Sequence, residues 1–175
     1  MNVFGIVGYK NSGKTTMVER LVAVFTERGF AVSTVKHAHH AMDVDQPGRD
    51  SYRHREAGAR EVLVSSGSRW ALMHELSGAP EPSLDELLSR LTAVDLVLVE
   101  GFKTGRHRKV EVHRAAAGQR LLATTDRTIE AVATDVADLE IDRPVLPLNA
   151  PDAVADFIAG AVGLGAPPSS GPARS

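Results

Sequence analysis

Gly8-Tyr9-Lys10-Asn11-Ser12-Gly13-Lys14-Thr15 decides the fold of this 175-residue chain. It matches G-x-x-x-x-G-K-[ST] in full. Glycines let such a backbone curl so that successive N–H groups point inward at phosphate oxygens. A helix starting near Lys14 adds the positive end of its dipole at the same place. Lys14 supplies a mobile charge for β- and γ-phosphates, and the Thr15 hydroxyl suits a Mg²⁺ ligand. Residues 3–7, just before the loop, are a short apolar run that reads as a buried strand. After it, Met17, Val18, Leu21, Val22, Val24 and Phe25 fall at helical spacing, and Gly29 stands where a helix C-terminal glycine belongs. Residues 31–35 read as a second strand. Strand, glycine-rich turn, helix and strand make a βαβ unit, which implies a parallel sheet. The loop says nucleoside triphosphate and leaves the base and the reaction open.

Working outward, residues 37–50 lack apolar periodicity and read as a loop, with a type II turn over Gln46-Pro47-Gly48-Arg49. Asp50 is expected to cap a short helix over 51–57, ended by Gly58. Residues 61–65 and 69–73 flank Ser66-Gly67-Ser68 and predict a hairpin. Ser83 to Glu86 has capping-box spacing ahead of a helix whose apolar face is Leu84, Leu87, Leu88 and Leu91. Residues 95–99 form a continuous apolar strand after Asp95, which starts it and reads as structural. Residues 109–113 alternate and read as an edge strand. Residues 129–133 and 145–148 are two further strands. Pro151 opens a last helix with Val154, Phe157, Ile158 and Val162 on one face. The Pro-, Gly- and Ser-rich stretch 163–175 cannot bury enough apolar surface to order itself. The expected organisation is one nucleotide-binding domain over 1–162 and a disordered tail over 163–175.

Composition narrows the function. Hydrophobic residues are 43% and charged residues 24%, enough for a packed core. Lys plus Arg is 20 against 22 Asp plus Glu, for a net charge of −2. That balance opposes generic nucleic-acid binding, so phosphate affinity must come from a local device. There is no cysteine, which excludes disulfides, thiolate zinc, iron–sulfur clusters and cysteine nucleophiles. No apolar run approaches the ~20 residues of a membrane span. The N-terminus lacks the basic region and cleavage site of a signal peptide. A cytoplasmic protein is expected.

Glu100 closes the apolar strand, where open α/β sheets place their ligands. An acid there can hold Mg²⁺ directly or through water, and can orient a hydrolytic water. Lys36-His37-Ala38-His39-His40 with Asp43 and Asp45 could bind a transition metal, or could act beside the nucleotide and Mg²⁺. The basic stretch 103–109 reads as a hairpin that could receive a phosphorylated ligand or an acidic partner, or be a solvated turn. Asp135, after the strand over 129–133, could accept hydrogen bonds from guanine N1 and N2.

Together these residues resemble the molybdopterin-guanine dinucleotide biosynthesis adaptor family, the MobB type. The resemblance rests on Gly8 to Thr16, on Val35-Lys36-His37-Ala38-His39-His40, and on Met42-Asp43-Val44-Asp45-Gln46-Pro47-Gly48-Arg49-Asp50-Ser51-Tyr52. It rests further on Ala57-Gly58-Ala59, Arg69-Trp70-Ala71-Leu72-Met73, and Asp95 to Lys103. It implies a P-loop NTPase-type α/β fold with a mainly parallel sheet flanked by helices and a β-hairpin extension. It implies GTP and Mg²⁺ as cofactors and weak GTPase activity. It implies an accessory role beside a MobA-type guanylyltransferase and a homodimer; the molybdopterin cofactor itself is a further candidate ligand, with direct binding left open. Under it, Gly8, Asn11, Ser12, Gly13, Lys14, Thr15 and Thr16 are the phosphate loop, Glu100 is the catalytic-strand acid, and Asp135 falls at the base-side strand end. From the residues themselves, His37 is expected beside the nucleotide, Thr15, Asp45 and Glu100 on the metal side, and Lys14 and Glu100 as catalytic groups. Two rivals are a nucleotide-linked metallochaperone using His37, His39 and His40, and a small-molecule kinase on the same fold.

Overall fold

The apolar run before the loop becomes β1 (Asn2–Val7), buried from Phe4 to Val7. In the computed structural model, which describes residues 1–38 and 45–165, it lies deep inside a six-stranded sheet. The other strands are β2 (Val32–Lys36), β5 (Leu96–Glu100), β6 (Lys109–His113), β7 (Ile129–Thr134) and β8 (Val145–Pro147). Between β2 and β5 the chain forms β3 (Glu61–Ser65) and β4 (Trp70–His74). The large sheet runs β2-β5-β1-β6-β7-β8, with every pairing parallel. Parallel pairing gathers the C-terminal ends of β1, β2, β5, β6 and β7 along one edge, and the ligand crevice of such sheets lies there.

The chain divides into two compact units, Met1–His37 with the chain from Leu87 onward, and Ala38–Glu86. The first holds the large sheet. Its helix α1 (Lys14–Glu27) buries Met17, Val18, Leu21 and Phe25. The helix ends as the sequence predicts. Gly29 takes φ +86°, its N–H donates to Thr26 O at 2.9 Å, and Phe30 N–H reaches Phe25 O at 3.0 Å. The Phe25 and Phe30 rings meet edge-on at 6.2 Å, completing a Schellman end with its hydrophobic contact. The last helix, Pro151–Val162, buries Val154, Ala155 and Ile158 beside α1, and Phe157 meets the Phe4 ring at 6.5 Å. These two helices and one sheet face form the main core. Val7, Ala123, Ile129 and Val132 form a smaller cluster.

Strand β6 is interior, not an edge. It pairs with β1 on one side and β7 on the other. Its alternation comes from charged side chains that are buried and satisfied, not from a solvated face. Lys109 donates to Gly105 O and to Thr128 Oγ1 and lies 3.6 Å from Asp126. Glu111, 1% exposed, accepts N–H bonds from Leu122 at 2.9 Å and Ala123 at 2.8 Å. The basic segment before it is a crossover between parallel strands, not a hairpin. It passes over β1 at Gly5, whose N–H donates to Arg108 O at 2.8 Å. A Cβ on Gly5 would stand 2.5 Å from His107 Nε2, so only glycine leaves room for the crossing.

In the second unit, the turn over residues 46–49 forms with Gly48 at φ +87° and Arg49 N–H on Gln46 O at 3.1 Å. Helix α2 (Asp50–Glu56) starts one residue earlier than expected. Arg49 is the extended cap residue and Asp50 lies inside the first turn, where its charge suits the helix dipole. Strands β3 and β4 pair antiparallel around Ser66, whose hydroxyl closes the turn on Arg69 O at 2.9 Å. Ser83 and Glu86 make the expected reciprocal cap: Ser83 N–H donates to Glu86 Oε2 at 2.7 Å, and Glu86 N–H to Ser83 Oγ at 3.3 Å. The short α3 (Leu84–Leu88) follows and stops before Leu91. The stretch predicted as a tail lies outside the described residues from 166 onward. Just before it, Gly163 ends the last helix at φ +65°. No described helix is long and apolar enough to cross a membrane.

Candidate functional site

The phosphate loop leaves β1 at Gly8 and enters α1 at Lys14. Three residues turn it through the left-handed region: Gly8 at φ +149°, Asn11 at +66° and Gly13 at +95°. Gly8 is needed for space as well. A Cβ there would stand 2.4 Å from Val112 O and 2.7 Å from Ser12 Oγ. The N-terminus of α1 has no side-chain cap and no acid in its first turn, so its orphan N–H groups remain for an external anion. Ser12 is 2% exposed, and its Oγ is buried without a hydrogen-bond partner among the described residues. A buried hydroxyl without a partner costs free energy. A phosphate oxygen in the loop would supply one. Lys14 Nζ folds back onto Tyr9 O at 2.6 Å, so the loop's cation is held over the loop itself. Thr16 follows on the exposed side of α1.

On the β5 side stands the predicted acid. Glu100 is 9% exposed, and its Oε1 accepts the Thr15 hydroxyl at 2.8 Å. Lys36, ending β2, brings its Nζ to 3.4 Å from the same oxygen. Two groups that the sequence separates by 85 positions thus meet as hydroxyl and carboxylate. This is a donor set of the hard oxygens that Mg²⁺ prefers. His37 follows Lys36. Its N–H donates to Glu100 O at 2.9 Å, and its ring lies 4.7 Å from that of Phe102. Gly101, at φ +93°, has His37 Cβ only 3.0 Å from where its own Cβ would be. His39 and His40 lie outside the described residues. Asp45, in the second unit, turns both carboxylate oxygens to the Arg55 guanidinium, which holds its carboxyl below the usual range. No group of three or more His, Asp or Glu side chains fit to hold a metal occurs among the described residues.

Positive charge surrounds the loop. Burial pushes the Lys14 ammonium below the ordinary lysine range, and Lys103 and Lys36 push it further, against the opposite pull of Glu100. Lys103 lies over the Tyr9 ring at 4.6 Å, a cation–π contact. Much of the rest of the basic crossover is neutralised locally. Arg108 forks onto Glu130 at 2.6 and 2.7 Å, and Lys109 is taken up inside the sheet. One cation was not foreseen as part of the site. Arg114 follows β6 directly, and a Cβ on Gly13 would stand 3.3 Å from its Nε and 3.5 Å from its Nη2. A signal existed in the sequence: an arginine immediately after a strand of a sheet whose strand ends converge on the loop.

At the ends of β7 and β8 there is a cleft of about 430 Å³, lined by Thr134, Asp135, Val136, Pro147, Leu148 and Asn149 among others. Asp135 is exposed here, as the strand-end reading expects, but Oδ1 already accepts Ala115 N–H at 2.8 Å. Oδ2 is the oxygen left for a base. Thr134 Oγ1 lies 3.0 Å from His113 Nδ1. The described residues therefore bring together the loop, Thr15, Glu100 and His37 around one crevice, with Asp135 on the far side of β6.

A family model described as molybdopterin guanine dinucleotide synthesis protein B matches residues 3–135. The molybdopterin-guanine dinucleotide biosynthesis adapter protein of Haemophilus influenzae is 44% identical over 159 residues, 89% of this chain and 86% of that one. The protein of the same name from Escherichia coli K12 is 40% identical over 159 residues, 89% of this chain and 90% of its own. Among solved structures, a MobB homologue from Bacillus stearothermophilus superposes with a TM-score of 0.67 at 30% identity, over 93% of this chain and 99% of that one. With its phosphate loop, its parallel sheet and this likeness running through both, the chain belongs to the MobB family.

Proposed function

We propose that this protein binds GTP with Mg²⁺ and serves as the cytoplasmic adaptor of molybdopterin guanine dinucleotide synthesis, assisting a MobA-type guanylyltransferase. The observation that carries the reading is the Thr15 hydroxyl on Glu100 at 2.8 Å, beside a phosphate loop whose buried Ser12 hydroxyl has no partner among the described residues. Gly8, Asn11, Ser12 and Gly13 cradle the phosphates, Lys14 neutralises them, and Thr16 and His37 border them. Thr15 and Glu100 would hold Mg²⁺, which supplies charge to the β- and γ-phosphates. Asp45, engaged with Arg55, is left out of this metal set. Asp135 Oδ2 is the acceptor offered to guanine.

Glu100 is also the group placed to orient a water for hydrolysis. Turnover on the order of 10⁻⁴ to 10⁻² s⁻¹ is expected, as for GTPases working without a partner's arginine. The homodimer reading is supported by the β3–β4 hairpin. Leu63, Trp70 and Leu72 stand on one face of it, and Trp70 is 68% exposed. Lys14→Ala is expected to abolish GTP binding in calorimetry and, with it, any GTP-dependent capture of the guanylyltransferase. Near wild-type GTP affinity in that variant would sink the assignment.

A further inference from the structure

We propose that Arg114 is a ligand of the nucleotide's α- and β-phosphates, closing the phosphate loop on the side opposite Glu100. The inference rests on the GTP reading and adds a residue to it. The loop leaves β1, and β1 has two neighbours, β5 and β6. β5 delivers a carboxylate, Glu100, at its end. β6 ends at His113 and delivers a guanidinium one residue later. A Cβ on Gly13 would meet Arg114 Nε at 3.3 Å, Nη2 at 3.5 Å and Cζ at 3.9 Å, so the guanidinium lies against the backbone at the mouth of α1.

The backbone around it is held by bonds of its own. Ala117 N–H donates to Arg114 O at 3.0 Å, and the next residue, Ala115, is bonded to Asp135. The guanidinium itself has no hydrogen bond or ion pair among the described residues, so its donors remain for a ligand. A half-buried arginine whose guanidinium lies against Gly13, at an uncapped helix N-terminus, is a concentration of positive potential. The partnerless Ser12 hydroxyl in the same loop points to a missing oxygen-rich occupant. A planar guanidinium suits two phosphate oxygens at once, which an ammonium does not.

The choice of phosphates follows from the sheet order. Thr15, Glu100 and Lys36 occupy the β5 side, where the metal and γ-phosphate belong. Arg114 is on the β6 side, toward β7, Asp135 and the cleft. Phosphates on that side lie between the base and the metal, which are the α- and β-phosphates shared by GTP and GDP.

The test is isothermal calorimetry of GTP and GDP binding with the full chain, wild type and the variants Arg114→Ala and Arg114→Lys, with circular dichroism melts to report folding. Arg114→Ala is expected to weaken GTP and GDP by similar factors, on the order of 10- to 100-fold. Arg114→Lys should recover only part, since it keeps charge and loses the fork. Unchanged affinities in both variants overturn the proposal. So does a loss confined to GTP, which would put the guanidinium at the γ-phosphate. If Arg114→Ala melts early, the same comparison is read from Arg114→Lys. A wild-type protein that binds neither nucleotide refutes the GTP reading itself and this inference with it, a result separable from failure of Arg114 alone.

Discussion

Glu111→Ala is expected to be among the most destabilising single changes in the sheet. The carboxylate sits in mid-β6, 1% exposed, and spans to a 3₁₀ turn, Leu122–Thr124, whose first two N–H groups it accepts at 2.9 and 2.8 Å. Truncation strands two donors, one of them on Ala123, itself 1% exposed. Each costs about 1–3 kcal/mol when left unsatisfied. The lost desolvation penalty of the carboxylate works the other way. The net expectation is a loss of about 2–4 kcal/mol, which for a chain of this size lowers the melting temperature by about 4–16 °C. Glu111→Gln keeps one acceptor oxygen but turns an NH₂ toward the second donor, so it should cost roughly half as much. Urea unfolding at a common m-value with parallel calorimetric melts reads both. A change under about 0.5 kcal/mol for Glu111→Ala would refute the reasoning, because it would mean that water satisfies the turn as well as the carboxylate does.

Two further expectations concern the loop and the crossing. Because burial first and Lys103 second hold the Lys14 pKa down, nucleotide affinity should fall as pH rises through that lowered value, before ordinary lysines titrate. Lys103→Ala should move the fall to higher pH, and an unmoved midpoint in calorimetry across this range would contradict it. The linkage has the matching sign: a lysine whose folded pKa is depressed costs the fold stability while charged, so its contribution improves as pH climbs past the folded pKa toward 10.5. At the crossing, Gly5→Ala should cost about 1–3 kcal/mol, since His107 must give way. The cost should shrink in a His107→Ala background when both are measured by urea unfolding. Equal costs in the two backgrounds would remove His107 as the obstacle.

What the sequence revealed was local. The phosphate loop, the Schellman end at Gly29, the Pro47-Gly48 turn and the Ser83–Glu86 cap are each written within a few residues, because their hydrogen bonds close over three to five positions. What it hid was long-range. Lys109 and Glu111 look like the solvent face of an edge strand until Thr128 and Leu122 are brought beside them. Periodicity reports alternation and cannot report that a charged side chain has found a buried partner. The crossing hid the same way. Gly5 reads as one small residue in an apolar strand, and nothing nearby in the chain announces that His107 will lie on it. Glu100 stands out in the sequence because a single acid ends an apolar strand. Arg114 does not, because only the sheet order, with β6 beside β1, brings it to Gly13. The same order leaves Asp135 facing a backbone N–H that sequence reasoning had no means to foresee.

The central place of β1 also sets a clock on synthesis. Of the strands in the large sheet, β1 waits longest for its partners: Asn2 bonds Asp95 O, 93 residues away, and Gly5 waits for Lys109. At about 5–20 residues per second, an apolar strand with both edges open is exposed for about 5 to 20 s before its first partner emerges. Open apolar strands invite pairing with other chains during that interval. Under the proposed nucleotide site, GTP offers no early rescue, because the loop lacks Glu100 and Arg114 until those strands exist. Nascent chains released before residue 100 are therefore expected to need holding by a chaperone, and to gain nothing from added GTP.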